Sequence, residues 1–368
     1  MFYEIGDFPR EMLAAIGKAE DQVARLDEVV RRSPVREGFI ERSHFFEAVA
    51  SMWVTGELVH VEDLVLHDAE RDVRAPTHDI TIAHTILRTR RRIAGAEADW
   101  AMSQSGIDDL IGRPSAPADR KERGEGARRS FAVVALDEEH DGFAAEMAEI
   151  DALLDRSART LESAAKSQEN KAGSLAVGEL IVRDPDWDEG GRISEWRAVM
   201  QEVSAMPPTL GAAIIWDAWE TLEPLQRQHW LGAQLVNAYL RSRGKVSSHL
   251  FGLNFGLKAV PRERRRSRDR TVRLLAGLEA MADGAELSIK EIIRLGQVRD
   301  RFQRKLQGKR SSSNLPRLAE LLIARPIVSA SVIMKELKVS HRGALNLVAE
   351  LGVREVTGRD SFRAWGVI

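Results

Sequence analysis

The chain contains no cysteine. That excludes a disulfide framework, a thiolate metal site and a cysteine nucleophile. Aromatic residues are few, 6% of 368 residues with only two tyrosines, and strand-like alternation is nearly missing before the C-terminal stretch. Net charge is close to nil: 54 Lys+Arg stand against 56 Asp+Glu, a formal −2. Overall charge therefore argues nothing about nucleic acid, and only its local placement informs. No apolar run approaches the roughly 18 residues of a membrane span. The opening Met1-Phe2-Tyr3-Glu4 lacks a basic segment and an apolar core of the secretory kind. A cytoplasmic protein with no membrane partner is expected. No phosphate loop of the form G-x-x-x-x-G-K-S/T, no G-x-G-x-x-G after a strand and no G-x-S-x-G elbow occurs. Nothing local proposes a cofactor or a catalytic residue.

What is present reads as mainly α, with helical periodicity along most of the chain. The spacing predicts helices over Met12–Arg32, across Phe39–His67 with a kink or end at Gly56, and from Pro76-Thr77 through Ile80, Ala83 and Leu87. Arg88, Arg90, Arg91 and Arg92 on that last helix read as a solvated face, with phosphate contact as the alternative. Residues 1–111 form an N-terminal helical region. A Gly-, Pro- and charge-rich linker follows over 112–130, and a helical core occupies 131–306. Within that core, helices are expected over Phe143–Leu161, through Leu210–Leu222, from Leu231 to Leu240, through Leu274–Leu278, and separately over Ser288–Leu306. Residues 307–314 (QGKRSSSN) read as a hinge.

Residues 315–368 read as a helix-turn-helix with a wing. Leu318, Leu321 and Leu322 share one side of a first helix, which Arg325-Pro326 ends. Ser329 stands at the N-cap of a second, and Ser340 at the N-cap of a third over His341–Leu351. Ala344, Leu347, Val348 and Leu351 face inward, so His341, Arg342, Leu345, Asn346 and Ala349 face outward. Gly352 closes the helix. Val353–Thr357 and Ser361–Val367 read as a hairpin around Gly358-Arg359-Asp360, the only strands in the chain.

The partner that this pattern implies is double-stranded DNA. An Asn346 amide can pair with adenine N6/N7, and an Arg342 guanidinium with guanine O6/N7. Ser340 and His341 reach phosphate or a base edge near the helix N-terminus. Arg354, Arg359 and Arg363 suit backbone contacts around the wing. The segment Arg262–Arg273 carries seven arginines. It reads either as a solvated helix start or as further phosphate contact, through Arg264, Arg265 and Arg266 among others. One winged helix reads few base pairs, so a homodimer on a two-part site is expected. A winged helix that contacts protein is the alternative.

Two metal-like patterns fall short. Asp184, Asp186, Asp188 and Glu195 sit at calcium-loop spacing, but Glu189 holds the position where the sharp turn needs glycine. His60 and His67, with Asp63 and Asp68, lack the i, i+4 pairing of a zinc helix. No metal is expected.

Two family resemblances bear on function. The stretches SHFFEAVASMWVTGELVHVEDLVLHDA, EWRAVMQEV, PPTLGAAIIWDAWETLEPLQ, LKAVPRERRRSRDR and SFRAWGVI look like a bacterial family. Its members pair a domain of unknown function with a C-terminal helix-turn-helix DNA-binding domain. The layout also resembles Fic proteins, whose helical core transfers AMP from ATP to hydroxyl groups and often precedes a winged helix. The Fic motif is H-P-F-x-D/E-G-N-G-R-x-x-R. Laid from Glu223, it meets only Pro224. Glu223 replaces the general-base histidine, Arg227 the magnesium carboxylate, Gln228 and Trp230 the glycines, and Leu231 and Gln234 the arginines. Upstream, Ser51-Met52-Trp53-Val54-Thr55-Gly56 keeps the frame of the Fic inhibitory helix with Thr55 in place of its glutamate. The resemblance implies a Fic-like body with degenerate catalytic residues. The expectations are then a sequence-specific DNA-binding regulator that is not an enzyme, with an AMP transferase and a protein-interaction scaffold as alternatives.

Overall fold

A computed structural model describes residues 3–5, 8–69, 76–112, 186–308, 313–356 and 363–367. The linker over 113–130 and the helix expected at Phe143–Leu161 lie outside the described residues. The chain falls into two units. One joins Met1–Met102 with Gly190–Ile368, and the other is Ser103–Glu189. In the second, the described part carries a short helix, α5 (Gln104–Leu110), whose Ser103 N-cap oxygen accepts the Gly106 N–H at 3.0 Å.

The larger unit is built from helices whose ends obey local rules. α1 (Met12–Arg32) buries Met12, Ala19, Val23, Leu26 and Val30, a stripe at helical spacing. α2 (Arg36–Thr55) stops at Gly56, which takes φ 104°. That left-handed backbone suits glycine because no Cβ opposes it. α3 (Val61–Asp68) follows. α4 (His78–Gly95) starts at Thr77, whose hydroxyl accepts the Ile80 N–H. After α6 (Glu189–Glu202) come α7 (Pro208–Leu222), α8 (Leu231–Ser242) and the short α9 (Leu253–Leu257) and α10 (Arg262–Arg265). α7 and α8 are almost wholly buried, with Trp219 against Trp196 edge-to-face at 5.3 Å.

The body is arranged along α11 (Arg270–Leu306), one 37-residue helix where two were expected. Ala282-Asp283-Gly284 is no break. A Cβ on Gly284 would meet the Gly256 backbone at 3.2 Å, and one on Gly256 would meet the Ala280 carbonyl oxygen at 1.8 Å. Both glycines permit α9 to cross α11 backbone to backbone, so their role is close packing within a continuous helix.

The arginines of α4 do not form a solvated face, and none of them is exposed. Arg90 is wholly buried. It donates to Gln234 Oε1 at 2.8 Å and to the Leu250 and Phe251 carbonyls, and it lies 3.9 Å from Glu47. Glu47 accepts from the Asn254 and Phe255 amides, both at 2.9 Å. Burial lowers Arg90 to about 10, which leaves it charged at neutral pH. Arg91 pairs with Asp68 and Glu41, and Arg92 lies over Trp100 at 5.0 Å. These charges are compensated inside the fold, which is the condition for burying them.

The C-terminal part consists of α12 (Leu315–Ala324), β1 (Ile327–Ser329), α13 (Ala330–Leu337), α14 (His341–Leu351) and β2 (Ala364–Gly366). The third helix matches its expected bounds. The pairing expected of the hairpin is present among the described residues, with the Val356 N–H donating to the Ala364 carbonyl at 2.9 Å, and Ile327–Ser329 adds a strand that was not expected. β1 pairs antiparallel with β2, Val328 opposite Trp365, and on the other side of β2 Glu355 bridges to Trp365. Ile327 and Val328 are 1% and 0% exposed. This apolar pair therefore fills the core under the wing, and β2 runs between β1 and the Glu355 bridge.

Candidate nucleic-acid interface

The helix-turn-helix is set by its caps. Ser329 Oγ accepts the Val332 N–H at 3.3 Å and starts α13. α13 ends at Lys338, whose φ of 53° reverses the chain. Two residues later Ser340 Oγ accepts the Gly343 N–H at 3.2 Å and starts α14. Ala344, Val348 and Leu351 are buried beneath α14, while His341, Arg342 and Asn346 are exposed. Among the described residues none of these three side chains has an ion pair or a side-chain hydrogen bond. Arg342 and Asn346 are four residues apart, about one helical turn, so they share one outward face.

The wing residues are placed differently. Arg363 donates to both oxygens of Glu355, at 2.7 to 3.1 Å, and its guanidinium lies 5.4 Å from the Trp365 ring centroid. The hydrogen bond from Arg363 holds the Glu355 carboxyl below its ordinary range. Arg354 is exposed and lines a cavity against α11. Arg359 lies outside the described residues.

Much of the 262–273 segment is engaged within the body. Arg264 pairs with Glu279. Arg265 donates to the Val260 carbonyl at 3.1 Å and lies over Trp53. Arg270 and Arg273 both converge on Asp217, which is 3% exposed and also receives the Tyr3 hydroxyl at 2.7 Å. Arg266 and Arg268 are exposed. Arg266 borders a small cavity of about 30 Å³ with Ser51, Thr55, Glu220, His229 and Trp230. There His229 meets Glu220 at 2.9 Å. Burial opposes charging His229, but Glu220 outweighs it and raises the imidazole pKa.

Among the described residues no group of three or more His, Asp or Glu could hold a metal ion. His67 instead stacks edge-on against His84 at 4.7 Å, and His84 sits 3.4 Å from Asp68. Asp184 lies outside the described residues. No helix among those described is long and apolar enough to cross a membrane.

One residue that the sequence did not single out joins the body to the reader. Arg42 of α2 is 1% exposed. It donates to the Arg325 carbonyl at 2.9 Å, the Leu322 carbonyl at 3.5 Å and the Val367 carbonyl. Its Nε donates to Glu291 at 3.0 Å. Burial and the neighbouring Arg294 lower Arg42 to about 10, with Glu291 opposing. The available signal was a charge three residues after Phe39 on the buried side of α2. Gly38 adds to the joint, because a Cβ there would meet Ile323 Cγ2 at 2.5 Å.

A helical body fixed to a C-terminal helix-turn-helix defines the class of protein, and comparison with known sequences agrees. Residues 181–307 match the family described as "Protein of unknown function (DUF1612)", and residues 315–368 match the family described as "HTH DNA binding domain". The chain is 45% identical over 355 residues to "Uncharacterized protein y4cF" of Sinorhizobium fredii, covering 94% of this chain and 93% of that protein. The chain belongs to the family that carries the DUF1612 domain followed by a C-terminal helix-turn-helix DNA-binding domain.

Proposed function

We propose that this protein binds duplex DNA sequence-specifically and regulates transcription, acting in the cytoplasm where bacterial DNA is found. The observation that carries the reading is the outward face of α14. His341, Arg342 and Asn346 are exposed there without partners among the described residues, on a helix held at both ends by Ser340 and Gly352. Arg342 and Asn346 read base edges in the major groove, while Ser340 and His341 contact phosphate or a base edge at the helix start. Arg354, Arg359 and Arg363 add phosphate contacts. In the body, Arg266 is the most available of the three arginines 264–266, since Arg264 and Arg265 already have internal partners. The protein binds as a homodimer on a two-part site. Selection of a random duplex library on the full chain at physiological salt tests the reading. Enrichment of a two-part motif is the expected result. Failure to enrich any DNA would overturn it and favour the protein-interaction scaffold.

The body acts as a scaffold without AMP-transferase chemistry in this reading. Ser51 and Thr55 share one small cavity with His229 and Trp230 of the aligned stretch, whereas Gln234, at the position of the arginine that the inhibitory glutamate would meet, accepts from Arg90 instead. Against the chemistry stand Glu223, Arg227 and Leu231 at the positions of the base, the metal carboxylate and the first motif arginine. Incubating the protein with labelled ATP, magnesium and cell extract separates the two readings, and labelled protein products would sink this one.

A further inference from the structure

The junction of body and reader holds a cavity of about 570 Å³ between the last third of α11 and the wing. That volume is within the roughly 300–1,000 Å³ of small-molecule sites. Its apolar side includes Val298, Phe302, Leu351 and Val367, all buried. Its charged lining is lopsided: Arg294, Arg301, Lys305 and Arg354 against Glu355 alone. Glu355 is already neutralised by Arg363 at 2.7 Å. Arg294 is occupied by Glu291 and the Val367 carbonyl, and Lys305 by the Leu351 carbonyl at 2.8 Å. Arg301 and Arg354 remain. Both are exposed, and neither has an ion pair or a side-chain hydrogen bond among the described residues. An apolar wall facing two uncommitted guanidiniums fits one kind of ligand: a small organic carboxylate with an apolar body, its carboxylate on the arginines.

We infer that this cavity is an effector site for such a carboxylate, and that its occupancy weakens DNA binding. The second half rests on the DNA-binding reading above. Arg354 is a phosphate contact in that reading, so a ligand carboxylate on Arg354 competes directly with the DNA backbone. The coupling is reciprocal, and DNA lowers affinity for the carboxylate by the same factor.

Isothermal titration of the full chain, without DNA, tests the site itself. The probes are octanoate, phenylacetate and 1-naphthoate, each beside its neutral amide. At least one carboxylate saturates a single site per chain, at least about tenfold tighter than its amide. Arg301→Gln and Arg354→Gln each weaken it, and the double variant abolishes it with the thermal melt unchanged. Val356→Trp, which fills the cavity, abolishes it by a separate route. Binding by none of the probes, equal binding of the amides, or binding untouched in the double variant overturns the site. Fluorescence anisotropy on the selected DNA then tests coupling. The bound carboxylate raises the DNA Kd at least about fivefold, and an unchanged Kd overturns the regulatory half alone. A protein that selects no DNA but still binds the carboxylate defeats the DNA reading and leaves the site standing.

Discussion

Arg90 in the body and Arg342 in the reader both belong to helical stretches of charged and polar residues, yet they differ in what surrounds them. Arg90 has no exposed surface and gives its hydrogens to Gln234 and two backbone carbonyls, with Glu47 close by. Arg342 is exposed and has no such partner among the described residues. The difference lies in the helix face. α4 is covered on most sides by α2, α3 and α8, so even its arginines are drawn inside and must be compensated there. α14 packs through Ala344, Val348 and Leu351 on one side only. Charge in the body therefore serves the fold, and charge on α14 is available to a partner.

The largest expected effect comes from emptying the buried site. Arg90→Ala leaves Glu47 without its cation, and loss of about 3–5 kcal/mol is expected, read by urea denaturation. A change below about 1 kcal/mol would mean that the Arg90 charge is not needed to offset Glu47 in the fold. Arg42→Ala should follow at about 3 kcal/mol, because it strips charged hydrogen bonds from three carbonyls of the reader. The signature that sharpens it is local: faster amide exchange over α12 to β2, with α7 and α8 still protected.

Acidification tests the body a third way. His249 is buried, edge-on to Phe39 at 5.9 Å. Burial lowers its pKa to about 4, against the attraction of Asp27. A depressed base is neutral in the fold and charges more readily when unfolded. Its contribution is thus complete above the ordinary pKa of about 6.5 and declines as pH falls toward 4. The decline is on the order of 3 kcal/mol between those limits. His249→Gln should flatten the denaturation midpoint across that window, and an unaltered slope would remove His249 from the account.

The smallest effect on stability belongs to the reader. Arg342→Ala and Asn346→Ala should each cost roughly 1–3 kcal/mol of discrimination at one base pair. Neither should move the melting temperature appreciably, since surface changes of this kind stay near ±0.5 kcal/mol. Wild-type discrimination in both variants would mean that the outward face of α14 does not read bases.

Local rules carried much of the fold. Met12–Arg32 and His341–Leu351 were legible to the residue from apolar spacing and caps. Gly56, Thr77 and Ser340 marked ends because left-handed backbone and orphan amides favour those residue types wherever they occur. The outward placement of His341, Arg342 and Asn346 followed from the same periodicity. The pairing of β1 with β2 was not legible, because Ile327-Val328-Ser329 is too short to show a period and pairs across the 330–363 interval.

Residues within a turn or two were enough to set most of the helices, the ends at Gly56, Thr77 and Ser340, and the outward face of α14. Tertiary structure decided the rest. It made one helix of Arg270–Leu306 by packing Gly284 against Gly256. It buried Arg90 beside Glu47, drew Arg270 and Arg273 onto Asp217, and set Arg42 among the reader's carbonyls. The physical reason is common to all of these. Whether an arginine meets solvent, a carboxylate or a phosphate depends on which distant segments close around it, and spacing along the chain carries no record of that.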